Sequence, residues 1–197
     1  MNVKLLTSTE GIHDMEHFAA LAALTCHANT DKDYIPADVL KRIIRLGHES
    51  ILEHINLTFS IKGLSRACLQ ELARHRHISL SVESTRYTLR KKTLQSDDVE
   101  YACGNDDFRL ELAALLSQFM KEHPDMPNDE LKYYIPEFWP TNLIITLNIR
   151  EFRHILKLRT APAALKEFRI LARSMFNEIP EQFRYLLQDC VHEEVTQ

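Results

Sequence analysis

The sequence predicts an α+β fold. Short segments of period-two alternation are mixed with longer segments of helical period, the helical segments outnumber the strands, and the strands keep no strict strand-helix-strand rhythm. That combination argues against a Rossmann-type sheet. At 197 residues and 45% hydrophobic the chain is of ordinary single-domain size and can bury a full core. No internal repeat, low-complexity stretch or Pro/Ser linker divides it, so residues 1–197 are expected to form one domain.

Val3-Lys4-Leu5-Leu6 predicts a short strand, and Asp14 to Cys26 a helix with Phe18, Leu21 and Leu24 at helical spacing. Pro36 opens a second helix over Ala37–Leu46, which Gly47 ends. Ile55, Leu57, Phe59 and Ile61 alternate with Asn56, Thr58, Ser60 and Lys62, the pattern of a half-buried strand. Gly63 is then expected to turn the chain into a helix from about Leu64 to His75. On it Leu64, Cys68 and Leu72 form a core stripe, and Arg66, Gln70 and Arg74 a stripe able to face a ligand. Residues 93–107 read as an acidic loop, Phe108–Glu122 as an amphipathic helix, and Asn128–Tyr134 as a helical piece stopped by Pro136. Leu143, Ile145, Leu147 and Ile149 alternate again, so a strand should deliver Asn148 into a helix starting near Arg150. The last long helix is expected over Ala163–Ile179.

The net charge of −4 counts against general nucleic-acid binding, yet residues 74–92 hold six Arg or Lys against the single acid Glu83. Positive charge is therefore local, as a bound phosphate requires. The four glycines are too dispersed to form G-x-G-x-x-G or a P-loop, so any phosphate must be held by side chains. Arginine suits that task because its planar fork donates two parallel hydrogen bonds and stays charged. No apolar run approaches the ~20 residues of a membrane span, and Met1–Leu6 lacks a signal peptide's apolar stretch, so a cytoplasmic location is expected. Cys26, Cys68, Cys103 and Cys190 lie far apart with no C-x-x-C, which reads as reduced thiols without a zinc knuckle.

The densest feature is Arg74-His75-Arg76, followed by Ser84 and then Arg86-Tyr87. A helix C-terminal dipole accounts for one of these cations, at ~0.3–1 kcal/mol, and not for the whole set. The segment resembles the RHR-x7-S signature of the flavin-dependent thymidylate synthases, and matches at His48, Asn148, Arg150 and Arg159 extend the resemblance over roughly residues 40–190. The resemblance implies a thymidylate synthase-complementing protein fold, a small antiparallel sheet packed by helices. It implies conversion of dUMP to dTMP with FAD, with NADPH as reductant and methylenetetrahydrofolate as one-carbon donor, in a homotetramer whose sites draw on several subunits.

By the same resemblance, FAD contacts fall on His48, Ser50, Arg74, His75, Arg76, Val82, Asn148, Arg150 and His154. The dUMP contacts fall on Glu71, Arg74, Glu83, Ser84, Thr85, Arg86, Lys132 and Arg159. Arg159 is matched to the arginine that holds the uracil carbonyl and stabilises its anionic form. Ser84 is matched to a serine that positions dUMP; a nucleophilic serine needs an oriented base beside it, which one sequence does not show. Tyr87 reads as core or as a stacking surface.

Several positions depart from the family pattern. Val82 stands where some members have a glutamate, with Glu83 next to it; Glu71 stands for glutamine; His154 for asparagine; Lys132 for an arginine, keeping the charge and losing the fork. Taken without the resemblance, His48 reads as a structural histidine; the Arg150–Arg159 face reads as cationic, with a solvated basic helix as the alternative to a ligand-facing one. A metal held by His48, His54 and His75 is not expected, because their spacing matches neither H-E-x-x-H nor a zinc finger. The alternative from another class is an RNA-binding module built on residues 74–92, which the acidic balance and 8% aromatic content disfavour.

Overall fold

β1 (Asn2–Leu5) leads to Ser8, whose Oγ accepts from the Gly11 N–H at 3.0 Å and so caps α1 (Thr9–Thr25). α2 (Pro36–Arg45) opens on proline and is followed by Gly47 at φ +72°, the left-handed conformation that ends many helices. A 3-10 segment, Glu49–His54, precedes β2 (Asn56–Ser65), α3 (Arg66–Ala73), β3 (Ile78–Val82) and the single turn α4 (Thr85–Thr88). Then come α5 (Asp106–Glu122), the single turn α6 (Asn128–Leu131), β4 (Pro140–Asn148), α7 (Ile149–Arg159) and α8 (Lys166–Asn177). This computed structural model describes residues 1–28, 33–91 and 106–193. Most of the acidic loop expected at 93–107 falls outside them, as does Cys103.

The four strands form one antiparallel sheet in the order β1-β2-β4-β3, the α+β arrangement that the sequence predicts. Leu57, Phe59 and Ile61 of β2 and Leu143, Ile145 and Leu147 of β4 turn to one face and are buried there. α7 and α8 cover that face with Phe152, Ile155, Leu156, Phe168, Leu171 and Met175, and Phe59 meets Phe152 edge-on at 5.7 Å. A second small core of Leu89, Leu116, Leu131 and Trp139 ties α5 and α6 to the chain after β3.

Five expectations need correction. Gly63 does not turn β2 into a helix. At φ +73° it forms a bulge: Ile61 pairs with Leu143 and Leu64 with Thr141, so three steps on β2 face two on β4. The extra residue shifts the pleat by one and brings Leu64 to the buried face. α3 therefore starts two residues late, capped by Ser65 Oγ, which accepts from the Cys68 N–H at 3.0 Å. Leu64, Cys68 and Leu72 are core as expected. α1 begins at Thr9 and buries Ile12, Ala19, Ala20 and Ala23, leaving Phe18 61% exposed; its small residues let it lie close to the sheet. The last helix starts at Lys166, because the Arg169 guanidinium holds the carbonyls of Pro162 and Ala164 in a preceding turn. β3 is a fifth correction, since its five residues carry no strand expectation within the cationic motif and pair with β4 nonetheless. Among the described residues no helix is long and apolar enough to cross a membrane.

Candidate active site

α3 ends at Ala73 and β3 begins at Ile78, so Arg74, His75, Arg76 and His77 make the junction between them. Ile78 pairs with Leu147, and β4 runs straight into α7, so this junction is held against the first turns of α7. Asn148 makes the changeover: its Oδ1 accepts from the Glu151 N–H at 2.8 Å and caps the helix. Glu151 stands three residues after that cap, the capping-box spacing, yet its carboxylate reaches across to His75.

His75 is buried, and its Nδ1 lies 2.9 Å from Glu151 Oε1. Its Nε2 lies 3.2 Å from Arg159 Nε, an atom that only donates. Nε2 must therefore accept, the ring proton sits on Nδ1, and Nδ1–H donates to Glu151. Burial, with the charges of Arg159 and His154, holds the His75 pKa below the usual histidine value against the opposing pull of Glu151. Arg159 also donates from Nη1 to Glu71 Oε2 at 2.8 Å, and its guanidinium lies 4.7 Å from the Phe168 ring centroid. Its direction is thus set on three sides. Arg74 and Arg76 remain exposed, with Arg74 Nη1 3.6 Å from Glu71 Oε1.

An open cavity of about 580 Å³ is lined by Arg74, His75, Arg76, His154 and Arg159. Next to it, a cavity of about 490 Å³ shares His77, Glu151 and His154 with the first, and adds Asn148, Arg150, Lys157, Glu49 and Glu53. Both fall in the size range of small-molecule sites. Arg150 Nη1 meets Glu53 Oε1 at 2.5 Å, so the α7 face expected to be cationic is partly neutralised. His48 and Ser50 are exposed on the 3-10 turn that supplies Glu49 and Glu53. That turn is fastened from behind by the buried Arg153, which donates to Glu49 Oε1 at 3.0 Å, to both Asp189 oxygens at 2.6 Å and to the Leu186 carbonyl.

The remaining candidates lie at the other end of β3, on the order of 20 Å from Ile78 at strand rise. Ser84 precedes α4 at its N-cap, and its carbonyl accepts from Tyr87 and Thr88. Val82 ends β3 and is 38% exposed, and Thr85 is the first residue of α4. Arg86 Nε and Lys132 Nζ approach the same carboxylate oxygen, Asp129 Oδ1, at 2.9 and 3.8 Å. Glu83 accepts from Asn142 Nδ2 at 2.8 Å while Asn142 Oδ1 accepts from Gly63, so its carboxylate is anchored at the bulge. Arg90 is spent structurally, donating to the carbonyls of Met120, His123 and Met126.

Sequence reasoning passed over Glu151, Arg153, Glu49 and Asp129. The Asn148-to-Glu151 spacing and the acid three residues before Lys132 were available signals; nothing local marks Arg153. Burial also pushes the Cys68 thiol pKa far above the usual range despite the charge of Arg159, so Cys68 is no nucleophile. Among the described residues one group, His75, Glu151 and His154, brings metal-ligand atoms within 4.8 Å of one another. Both His75 nitrogens are already hydrogen-bonded, one of them to a cation, so a metal there has to break that pairing.

Fold and site together define an α+β protein whose cleft is lined by arginine side chains braced by carboxylates, in a sequence without a glycine loop for phosphate. The family model described as "Thymidylate synthase complementing protein" matches residues 4–183. A flavin-dependent thymidylate synthase of Campylobacter jejuni is 36% identical over 190 residues, covering 88% of this chain and 92% of the relative. One of Helicobacter pylori is 39% identical over 160 residues, 73% and 76% of the two chains. The crystal structure of thymidylate synthase X from Helicobacter pylori with FAD and dUMP superposes at a TM-score of 0.82 with 32% identity, covering 98% of this chain and all of that one. The chain belongs to this family of flavin-dependent thymidylate synthases, and it is an enzyme.

Proposed function

We propose that the protein carries out the reductive methylation of dUMP to dTMP in the cytoplasm, as a single-domain subunit of a homotetramer. The observation that carries this reading is the meeting of Arg74, His75 and Arg76 with Arg159 in one cleft, in a chain that has no glycine loop for phosphate. The donor set fits FAD: the exposed forks of Arg74 and Arg76 suit its pyrophosphate, with Arg150, Asn148 and His154 on the adjoining wall and His48 and Ser50 on the turn beyond. When bound there, FAD reduced by NADPH would supply the hydride that completes the methyl group, with methylenetetrahydrofolate as the carbon donor.

This chain's own residues bind, orient and offset charge. Arg159 is aimed by Glu71, His75 and Phe168 and offers a fixed cation to the uracil carbonyl as negative charge builds there. Arg86, Thr85 and Lys132 hold the dUMP phosphate once Asp129 gives way to it, with Ser84 beside them positioning the nucleotide. Val82 contacts flavin through its backbone, and Glu83 meets substrate while Asn142 steadies it. The length of β3 sets the Ser84 group about 20 Å along the strand from the Arg74–His77 junction of the same chain, which supports sites completed by a neighbouring subunit.

Two experiments test this. The purified protein, alone or given FAD, should show flavin absorption bands; a colourless protein that does not take up FAD sinks the assignment. Mixing and refolding Arg159→Ala with Ser84→Ala subunits should give more turnover than either variant alone. An unchanged sum would place both groups in one subunit's site.

A further inference from the structure

Glu151 has no place in the contacts assigned above, yet its side chain is 8% exposed against 24% for Glu49 and 34% for Glu71. A carboxylate taken that far from water needs a strong partner, and its partner here is His75 Nδ1. We infer that Glu151 is a positioning residue: by holding the imidazole proton on Nδ1 it leaves Nε2 free to accept from Arg159, and so fixes the direction of the guanidinium.

Four features of the structure carry this. A neutral imidazole can carry its proton on either nitrogen, and with Nε2–H facing Arg159 two donors would oppose each other. The carboxylate at Nδ1 decides the matter. Glu151 and Arg159 lie on the same helix, on the order of 12 Å apart at helical rise, so the two ends of the chain of hydrogen bonds cannot drift relative to each other. His75 enters between them from the α3–β3 junction, and its ring is wedged by Phe168 at 5.9 Å and His154 at 5.7 Å, both edge-on. Asn148 caps the turn that holds Glu151, so the first turn of α7 is fixed as well. The consequence for turnover rests on the reading of Arg159 proposed above; the hydrogen-bond chain stands on geometry alone.

The test uses 15N spectra of the imidazole and arginine side chains in the intact, ligand-free protein, with His75→Gln identifying the signal among ten histidines. The wild-type chain should show His75 protonated on Nδ1 and a protected Arg159 Nε–H. In Glu151→Leu the proton should move to Nε2 and the protected Arg159 signal should vanish. If that variant does not fold, Glu151→Gln keeps the volume without the charge, and exchange of the Arg159 Nε–H should rise on the order of tenfold, as loss of a charge-assisted hydrogen bond requires. A wild-type His75 protonated on Nε2, or an Arg159 signal unchanged in whichever variant folds, overturns the inference. Single-turnover rate then reads the consequence: a misdirected guanidinium should slow the chemical step about a hundredfold with the KM for dUMP little changed. If the spectra change as described and the rate does not, Glu151 still positions Arg159, and it is the role of Arg159 at the uracil that fails.

Discussion

Arg153 grips Asp189 through two parallel hydrogen bonds, Nη1 to Oδ1 and Nη2 to Oδ2, each 2.6 Å long. This fork is the strongest geometry an arginine and a carboxylate can adopt. It fastens the end of the chain to α7, while Nε of the same guanidinium holds Glu49 and with it the turn beside the cleft.

Arg153→Ala should therefore cost about 2–3 kcal/mol of stability. Breaking a buried pair costs ~3–5 kcal/mol, and the figure is reduced because Asp189 and Glu49 are partly exposed. Thermal denaturation should show a fall of several degrees. A variant with unchanged Tm would mean that the fork adds nothing to the fold.

The same network sets an acid limit. Burial pushes the carboxyls of Glu49 and Asp189 up, but Arg153 outweighs it and holds both below their ordinary values of 4.5 and 3.8. Groups depressed on folding stabilise the native state above those values and stop doing so as pH falls through the lowered ones. Urea titrations between pH 6 and 3 should show stability falling more steeply in the wild type than in Arg153→Ala.

His75 adds a dependence of the same sign at milder pH. Burial, Arg159 and His154 lower its pKa, with Glu151 opposing and the apolar Phe168 ring closing the side toward α8. The unfolded chain takes up a proton below about 6.5 that the native protein refuses, so stability falls as pH drops from 7.5 to 5.5, at most ~1.4 kcal/mol per pH unit from this group. His75→Gln should flatten that slope. If the slope is the same in both proteins, His75 titrates normally.

Arg159→Ala should slow the chemical step, raising its barrier by about 3–4 kcal/mol, while the protein keeps its fold and its flavin. Arg159→Lys retains the charge but cannot meet Glu71 and His75 together, so it should recover only part of the loss. Single-turnover oxidation of pre-reduced enzyme by dUMP and methylenetetrahydrofolate measures both. Near-normal turnover in the alanine variant removes Arg159 from the chemistry.

Lys132→Ala should weaken dUMP binding by ~1.5–3 kcal/mol and leave FAD affinity in place. Ser84→Ala should reduce turnover without abolishing it. Equilibrium binding of each ligand separates the two sites. Lost FAD with unchanged dUMP affinity after Lys132→Ala would show that the phosphate lies elsewhere.

What the sequence made legible was whatever is written locally. The Leu57-Phe59-Ile61 and Leu143-Ile145-Leu147 alternations place the two central strands, Pro36 and Gly47 bound α2, and the Leu64-Cys68-Leu72 stripe identifies the buried side of α3. β3 escaped because Ile78-Ser79-Leu80-Ser81-Val82 gains its strand geometry from β4, a partner over sixty residues away. Gly63 was misjudged since a bulge and a turn need the same backbone angle. In the site, residue types are legible and pairings are not: the arginines are visible, but that Arg90 spends itself on carbonyls at and beyond the end of α5, or that Glu151 meets His75 across 76 positions of sequence, depends on tertiary packing.

β3 also acts as a ruler. Ser79 and Ser81 point to an exposed face and tolerate exchange, because little packs against them. Length is another matter. Deleting one residue would swing Ser84 and all that follows to the opposite face of the sheet, and deleting two would draw the Ser84 end about 7 Å toward the arginine junction. The seven positions between Arg76 and Ser84 are therefore a distance held in backbone, open to drift at Ser79 and Ser81 and closed to insertion.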